Sequence, residues 1–422
     1  MRSKIAFVAL LAIVLVVAAV AVGCGSTTTT TATTGGTATT ATTGGTATTA
    51  TTGGTATTAT TAGKAITVKI GIIAPITGQL AKFGIDTVNA VQLAVDDAKK
   101  ANLLPSNITV VVEQGDDAAD PAKASLLAQK YIDETDMIGI IGPLNSSSAQ
   151  SALPILEKGN LLMISPSTTN TKLGQQGFKT FFRVCPIDDA QGAALADVIV
   201  NTVKAKKVYI VDDKSTYGQG LADQVQATLK TLGVTDIQRA QITPDDKDFN
   251  ALITKIKAYG PDAFFAAIPS PSQYAAIAKQ MQQAGYKVQL IGADGTRDVT
   301  EFITNAAGAT EGAICTTLGP LLDKMTDPAT VAFVAEYKAK GWELSLFSGQ
   351  TYEATNVLLQ AIKAAAATGT IDRASVMTAV RATNYTGVLG IPIQFTPEGN
   401  MVKSGLYLIQ VKGADFVQLK AL

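Results

Sequence analysis

The chain predicts an α/β fold of two lobes, each built on a mostly parallel central sheet, and three observations carry that reading. Short β-branched runs alternate with helix-period segments, the order of βαβ units whose crossovers put helices on both faces of a parallel sheet. The alternation restarts after Thr180–Cys185, as a second sheet would require. About 360 residues follow Lys64, more than one ordinary hydrophobic core accommodates.

Taken in order, Ile66–Ala74 reads as a strand, Thr87–Lys100 as a helix, Ile108–Gln114 as a strand, Pro121–Glu134 as a helix, and Met137–Ile141 and Leu161–Ser165 as strands. Pro121 suits a first helical turn, where its missing N–H is no loss, and the acids before it suit the helix dipole. The second half carries helices at Ala190–Val203, Gly218–Leu232, Phe249–Tyr259 and Ser272–Ala284. Between them run strands at Lys207–Asp212, Ala263–Ala267 and Gln289–Ala293. Pro328–Lys340, Thr351–Ala367 and Arg373–Ala382 read as late helices, and short strands near Ile393, Tyr407 and Phe416 close the chain.

Two hydroxyl-rich loops are the strongest functional signal. IGIIGPLNSSSAQ (138–150) and LLMISPSTTN (161–170) each stop an apolar run at Gly or Ser followed by Pro, then offer Ser, Thr and Asn. That pattern is strand end, turn, helix N-terminus, where free N–H groups and a dipole favour an anion. One such cluster alone is ordinary capping; two at consecutive strand ends can hold a small carboxylate without an arginine. The strand-end residues placed to line a cleft are Phe83 with its flanking Gly78 and Gly84, then Asn145, Ser146, Ser147, Ser148, Ser167, Thr168, Thr169, Tyr217, Asp294 and Phe347. Asp294, in IGADG, is either a carboxylate in open space that suits an ammonium or a turn-forming Asp before Gly. The acidic knot of Asp116, Asp117 and Asp120 matches no calcium cage and reads as capping of the helix at Pro121.

Composition removes whole classes of function. Histidine is absent, which eliminates Ser-His and Cys-His nucleophile pairs and every His-ligated metal site. Lys plus Arg and Asp plus Glu are equal at 34 each, so no basic field exists for nucleic acid. No phosphate loop of the G-x-x-x-x-G-K-[ST] kind is present. The expectation is a binding protein with no cofactor, no metal and no catalytic residue.

The amino terminus is a separate problem. Met1–Lys4 is basic, Ile5–Val22 is apolar, and small residues lead into Cys24, the layout of a secretory signal (1–23). The end of that run resembles a bacterial lipobox, which makes Cys24 the lipidated first residue; an uncleaved membrane anchor is the competing reading. Residues 24–63 are almost wholly Thr, Ala and Gly, with Gly pairs at 35, 44 and 53, too poor in apolar mass to fold. They read as a tether spanning on the order of 35 Å as a flexible coil.

From Ile66 to Leu422 the chain resembles the leucine/isoleucine/valine-binding proteins, type I periplasmic binding proteins that feed ABC transporters. The matching stretches are KIGIIAPITGQLAKFG, GPLNSSSAQ, LMISPSTTN, RVCPIDDAQG, VDDKSTYGQGLADQV, KDFNALITKIK and IGADG, specific together in this order and spacing. The resemblance implies two Rossmann-like lobes with parallel central sheets joined by three crossover strands. Lobe 1 would take 64–184 plus 316–391, and lobe 2 would take 185–315 plus 392–422.

The resemblance also assigns roles. Ser146 and Thr169 would hold a ligand carboxylate, with Asn145 and Thr168 beside them. The Ser167 carbonyl, Tyr217 and Asp294 would meet an ammonium; Phe83 would cover the ligand, and Phe347 would touch its side chain. Two positions depart from the pattern: Asp294 stands where the family often carries Glu, and Ile268 where relatives place an aromatic. The family's lobe-one disulfide is missing, its positions falling near Asp117 and Asn145, while Cys185 and Cys315 map onto two crossovers. They are either a hinge disulfide or two buried thiols. The implied protein is a monomeric, extracytoplasmic, lipid-tethered receptor that hands an aliphatic amino acid to a membrane permease. Receptors of the same fold for amides, urea or aromatic acids, and a ligand-sensing signalling module, are the alternatives.

Overall fold

The computed structural model describes residues 64–403 and 405–422. The signal segment, Cys24 and the tether lie outside the described residues. Among those residues no helix is long and apolar enough to cross a membrane.

The first sheet is parallel, in the order β2-β1-β3-β4-β5. Its strands are β1 (Ile66–Ala74), β2 (Ile108–Asp116), β3 (Met137–Ile141), β4 (Met163–Ser165) and β5 (Phe181–Arg183). The central β3 is buried along its whole length, as a strand covered on both faces must be. On one face Ile70 and Ile72 pack with Leu358 and Ile362; on the other, Ile73 and Ile140 pack with Leu153 and Leu156. The covering helices are α1 (Ala81–Lys100), α2 (Pro121–Asp133), α3 (Ser146–Lys158) and the short α4 (Thr171–Gly174).

The second sheet has seven strands in the order β14-β13-β10-β9-β8-β6-β7. The parallel strands are β6 (Lys207–Asp212), β7 (Asp236–Gln241), β8 (Ala263–Ala267), β9 (Gln289–Gly292) and β10 (Ile314–Thr317), with helices α5 (Asp188–Asp197), α6 (Thr216–Thr231), α7 (Asn250–Tyr259) and α8 (Pro271–Gln283). Two antiparallel strands, β13 (Tyr407–Lys412) and β14 (Asp415–Ala421), complete it against β10. Between β10 and β13 the chain returns to the first lobe with α9 (Pro328–Ala339), α10 (Ser348–Ala367) and α11 (Arg373–Arg381), and with the small pair β11 (Tyr385–Thr386) and β12 (Pro392–Ile393).

Two of the three lobe boundaries differ from expectation. Thr316 and Thr317 belong to β10 in the second sheet, so the crossing comes after them. Residue 392 does not begin the final return either. Ile393 is buried in the first lobe's core with Val68 and Leu358, and Phe395 packs edge-on against Phe182 at 5.1 Å between ring centroids. The chain rejoins the second sheet at Tyr407.

Helix α1 begins at Ala81, six residues before the expected Thr87. Gly84 and Asp86 argue against a helix locally, but tertiary contacts override them. A Cβ on Gly84 would lie 2.1 Å from the Pro75 carbonyl oxygen, so glycine alone lets the helix pack there. Asp86 is buried and takes hydrogen bonds from the hydroxyls of Tyr337, Ser345 and Ser348. The earlier start places Phe83 in the helix's first turn, facing the other lobe.

The hinge disulfide does not form: Cys185 and Cys315 are both free and buried. Cys185 packs beside Leu80, Phe83 and Phe347, whereas Cys315 sits on β10 in the second lobe's core with Tyr274 and Phe302. Burial pushes each thiol up to about 12.

Candidate functional site

The two lobes face each other across a cavity of about 350 Å³. Its walls are the loops at the carboxyl ends of the parallel strands, where open α/β sheets place their ligand sites. The lobes are drawn together by hydrogen bonds across the cleft. Thr216 donates its N–H to Ser147 Oγ at 3.0 Å and its hydroxyl to Gln150 Oε1 at 2.9 Å. Gln79 Nε2 donates to the Pro244 carbonyl at 2.7 Å, and Asn170 Nδ2 to the Thr216 carbonyl at 2.7 Å.

One wall is the start of α3. Gly142 ends β3 at φ +102°, and a Cβ there would meet the Ile73 carbonyl oxygen at 2.2 Å, so the turn requires glycine. The chain then presents Asn145, Ser146 and Ser147 to the cavity. Asn145 occupies the cap position without a side-chain cap bond, which leaves the helix's first amides for a ligand anion. The Ser165 hydroxyl ties the neighbouring loop in place by donating to the Pro143 carbonyl at 2.8 Å, and Ser167 donates to the Leu144 carbonyl at 2.6 Å.

The opposite wall is acidic. Tyr217 sits in the first turn of α6, which Ser215 caps by accepting from the Gly218 N–H at 2.9 Å. Its hydroxyl donates to Asp294 Oδ1 at 2.7 Å. The Asp294 N–H donates to Gln191 Oε1 at 3.1 Å, and Thr316 donates to the same oxygen at 2.6 Å. Asp294 is buried, and desolvation raises its pKa above the ordinary carboxylate value, against the lowering effect of the Tyr217 bond. Tyr217 is held well above its own ordinary value by burial and by the neighbouring carboxylate. Asp213 and Asp245 also line the cavity, and among the described residues no Lys or Arg does.

Phe83, Leu80, Leu144 and Phe347 form an apolar ceiling, with Phe83 and Phe347 edge-to-face at 5.3 Å. Facing them, Ala118 and Ala119 adopt left-handed φ of 47° and 61°. That turn is held by Asp116 and Asp117, whose carboxylates accept from the Ala118 and Ala119 amides at 2.9 and 3.0 Å. Asp116 also accepts from the Thr77 hydroxyl at 2.6 Å, and Asp120 caps α2 by accepting from the Ala122 N–H at 2.8 Å. The acidic knot is thus loop architecture.

The structure brings Phe83, Asn145, Ser146, Ser167, Tyr217, Asp294 and Phe347 to one cavity. Thr168, Thr169 and Ile268 are fully buried behind its wall. Arg183 holds the Thr168 carbonyl at 2.6 Å, and the Thr169 carbonyl accepts from the Asp188 amide at 2.9 Å, so this loop turns its backbone inward to the hinge. Ile268 packs in the second lobe's core. Asp188, at the start of α5, is buried at the hinge; among the described residues neither of its carboxylate oxygens has a hydrogen-bond partner, and desolvation pushes it up to about 7. Gln79, Pro244 and Ser270 line the cavity from loops, and Gln273 from the first turn of α8, none of them with a distinctive sequence signal.

Two α/β lobes closed on a small cavity with polar ends and an apolar wall define a solute-binding protein. The chain belongs to the periplasmic binding protein family, whose model matches residues 67–415. It is 33% identical over 299 residues to a Leu/Ile/Val-binding protein of Rhizobium johnstonii, covering 71% of this chain and 79% of that one. An amino acid binding protein of Pseudomonas aeruginosa is 32% identical over 304 residues, with the same coverage. Among solved structures, a leucine binding protein of Thermotoga maritima superposes with a TM-score of 0.76 at 28% identity, covering 84% of this chain and 98% of that chain. These relatives are solute-binding proteins, not enzymes.

Proposed function

We propose that the cleft takes a small aliphatic amino acid and that the protein presents it to the permease of an ABC importer. The observation that carries this reading is the buried Asp294 in a cavity lined by three carboxylates and, among the described residues, no cationic side chain. A buried carboxylate without a cation is costly, so the favoured ligand brings its own positive charge. Tyr217 occupies Oδ1, leaving Oδ2 for an ammonium. At the other end, Ser146 and the first amides of α3 suit a carboxylate, and the Phe83–Phe347 ceiling suits a branched aliphatic side chain. Thr169, placed behind the wall, supports the loop from the hinge side.

Amides and urea lack the ammonium that Asp294 calls for, and aromatic acids add negative charge to an acidic cleft. The amino-terminal sequence supports the same reading: lipidation at Cys24 and a Thr/Ala/Gly tether over 24–63 would hold the binding domain, as a monomer, on the far side of the cytoplasmic membrane. Calorimetric titration of the 64–422 domain with leucine, isoleucine and valine, beside propionamide and 4-hydroxybenzoate, tests the ligand class. Saturable binding of an amino acid is expected; binding of the amide or the aromatic acid with silence from all three amino acids would overturn the proposal.

A further inference from the structure

A second cavity, of about 390 Å³, lies at the side of the hinge and is lined from both lobes. The first lobe contributes Lys82, Lys338, Trp342 and Leu344; the second contributes Arg297 and Phe416. The short helical turn Asp294–Thr296 separates the two cavities, so that Asp294 faces the cleft and Arg297, three residues on, faces this one.

The acids around Arg297 are each engaged elsewhere. Asp298 pairs with Lys82 at 2.7 Å across the lobes, Glu343, an exposed acid in the same wall, reaches Lys82 at 3.5 Å, Asp323 and Asp415 both pair with Lys324, at 3.1 and 3.0 Å, and Asp86 is saturated by three hydroxyls. Among the described residues the Arg297 guanidinium has neither an ion pair nor a side-chain hydrogen bond; Asp86, Asp298, Asp323 and Asp415 act on it only through space. Burial works against its charge, lowering its pKa from the ordinary value. Lys338, at the rim on α9, also lacks an ion-pair partner among the described residues. A guanidinium left open in a partly enclosed space presents a planar fork of donors that matches a carboxylate. The apolar faces of Trp342, Phe416 and Leu344 beside it favour a carboxylate with a flat or short apolar body over a bare inorganic anion.

We infer that this hinge-side cavity is a second binding site, for a small organic monocarboxylate held by Arg297, and that its occupation favours the closed arrangement of the lobes. Because the walls come from both lobes, a ligand here binds best when they are in the present relation. By linkage it then strengthens whatever the cleft binds in that same state.

Benzoate is the probe, titrated into the 64–422 domain and followed by protein-observed NMR and calorimetry. The expected result is saturable binding at millimolar concentration or below, with shifts centred on Arg297 and Trp342, weakened at least tenfold in Arg297→Gln. A second variant, Val299→Trp, leaves the guanidinium in place and fills the mouth with an exposed wall residue; it should block benzoate to the same extent if Arg297→Gln proves unstable. Saturating benzoate should tighten leucine at least twofold in the native protein and leave it unchanged in either variant. Absence of binding, binding indifferent to both variants, or benzoate competing with leucine would overturn the inference. The direct binding arm stands whether or not the cleft accepts leucine, so failure of this site and failure of the amino acid reading are separable.

Discussion

Replacing Asp294 by Asn tests the site at its centre. The amide keeps the carboxylate's size and one oxygen for the Tyr217 hydroxyl, which donates at 2.7 Å, so the local framework survives. What is lost is the charge. If Oδ2 meets a ligand ammonium, a charge-assisted bond becomes a neutral contact, at a cost of about 1.5–3 kcal/mol, or roughly 12- to 150-fold in affinity. The ligand-free protein should move in the opposite direction. Burial raises the Asp294 pKa above its unfolded value, so folding takes up a proton between the two values and the stability tied to that group is lost as pH rises through the folded pKa. The Asn variant escapes that loss. Its unfolding midpoint without ligand should therefore equal or exceed that of the native protein at pH 7 and lose the advantage near pH 4. Leucine affinity by calorimetry and thermal unfolding at the two pH values give both readings. An Asn variant that binds leucine as tightly as the native protein would refute the reasoning, because the ammonium would then sit elsewhere.

Further expectations concern closure, the apolar wall and the thiols. Ser147→Ala removes the acceptor of the Thr216 amide; losing this interlobe bond should weaken leucine by about 0.5–1.5 kcal/mol, and stopped-flow traces should show it as faster release with unchanged association. Phe83→Ala opens the ceiling at a residue only 3% exposed. Urea unfolding should show about 3–5 kcal/mol of lost stability, and leucine affinity should fall with it; a near-neutral result would mean the ceiling collapses without cost. Cys185 and Cys315 should resist a water-soluble thiol reagent in the folded 64–422 domain and both react on denaturation without reductant. One or no thiol under those conditions would restore the hinge disulfide.

The sequence made the framework of the lobes legible because buried parallel strands announce themselves as short apolar runs, rich in isoleucine at Met137–Ile141 and made of Phe and Ala at Ala263–Ala267. Strand β7 was invisible for the converse reason: DIQRAQ is a half-exposed edge with almost no apolar content. The lining of the cavity was legible where polar residues follow strand ends, at Ser146, Tyr217 and Asp294. It was misread where a hydroxyl cluster carries no mark of the direction it faces. Thr168 and Thr169 have the composition of a ligand loop, yet Arg183, buried beneath them, takes carbonyls of that loop and turns it toward the hinge. Ala118 and Ala119 could not be foreseen either, since their place in the wall is set by a left-handed backbone and not by their side chains. The missing disulfide has the same lesson: two cysteines on neighbouring crossovers by alignment belong to different cores in space.

The position of β13 has a consequence for how the molecule comes into being. It is an interior strand, between β14 and β10, yet it is made from nearly the last residues of the chain. The first lobe is likewise incomplete until α10 and α11 have been added late in the sequence. Neither lobe can therefore finish its core from the amino-terminal segment that begins it. Before those segments are added, the first sheet has all five strands but one face still lacks α10, and the second sheet lacks β13 and β14 beside β10.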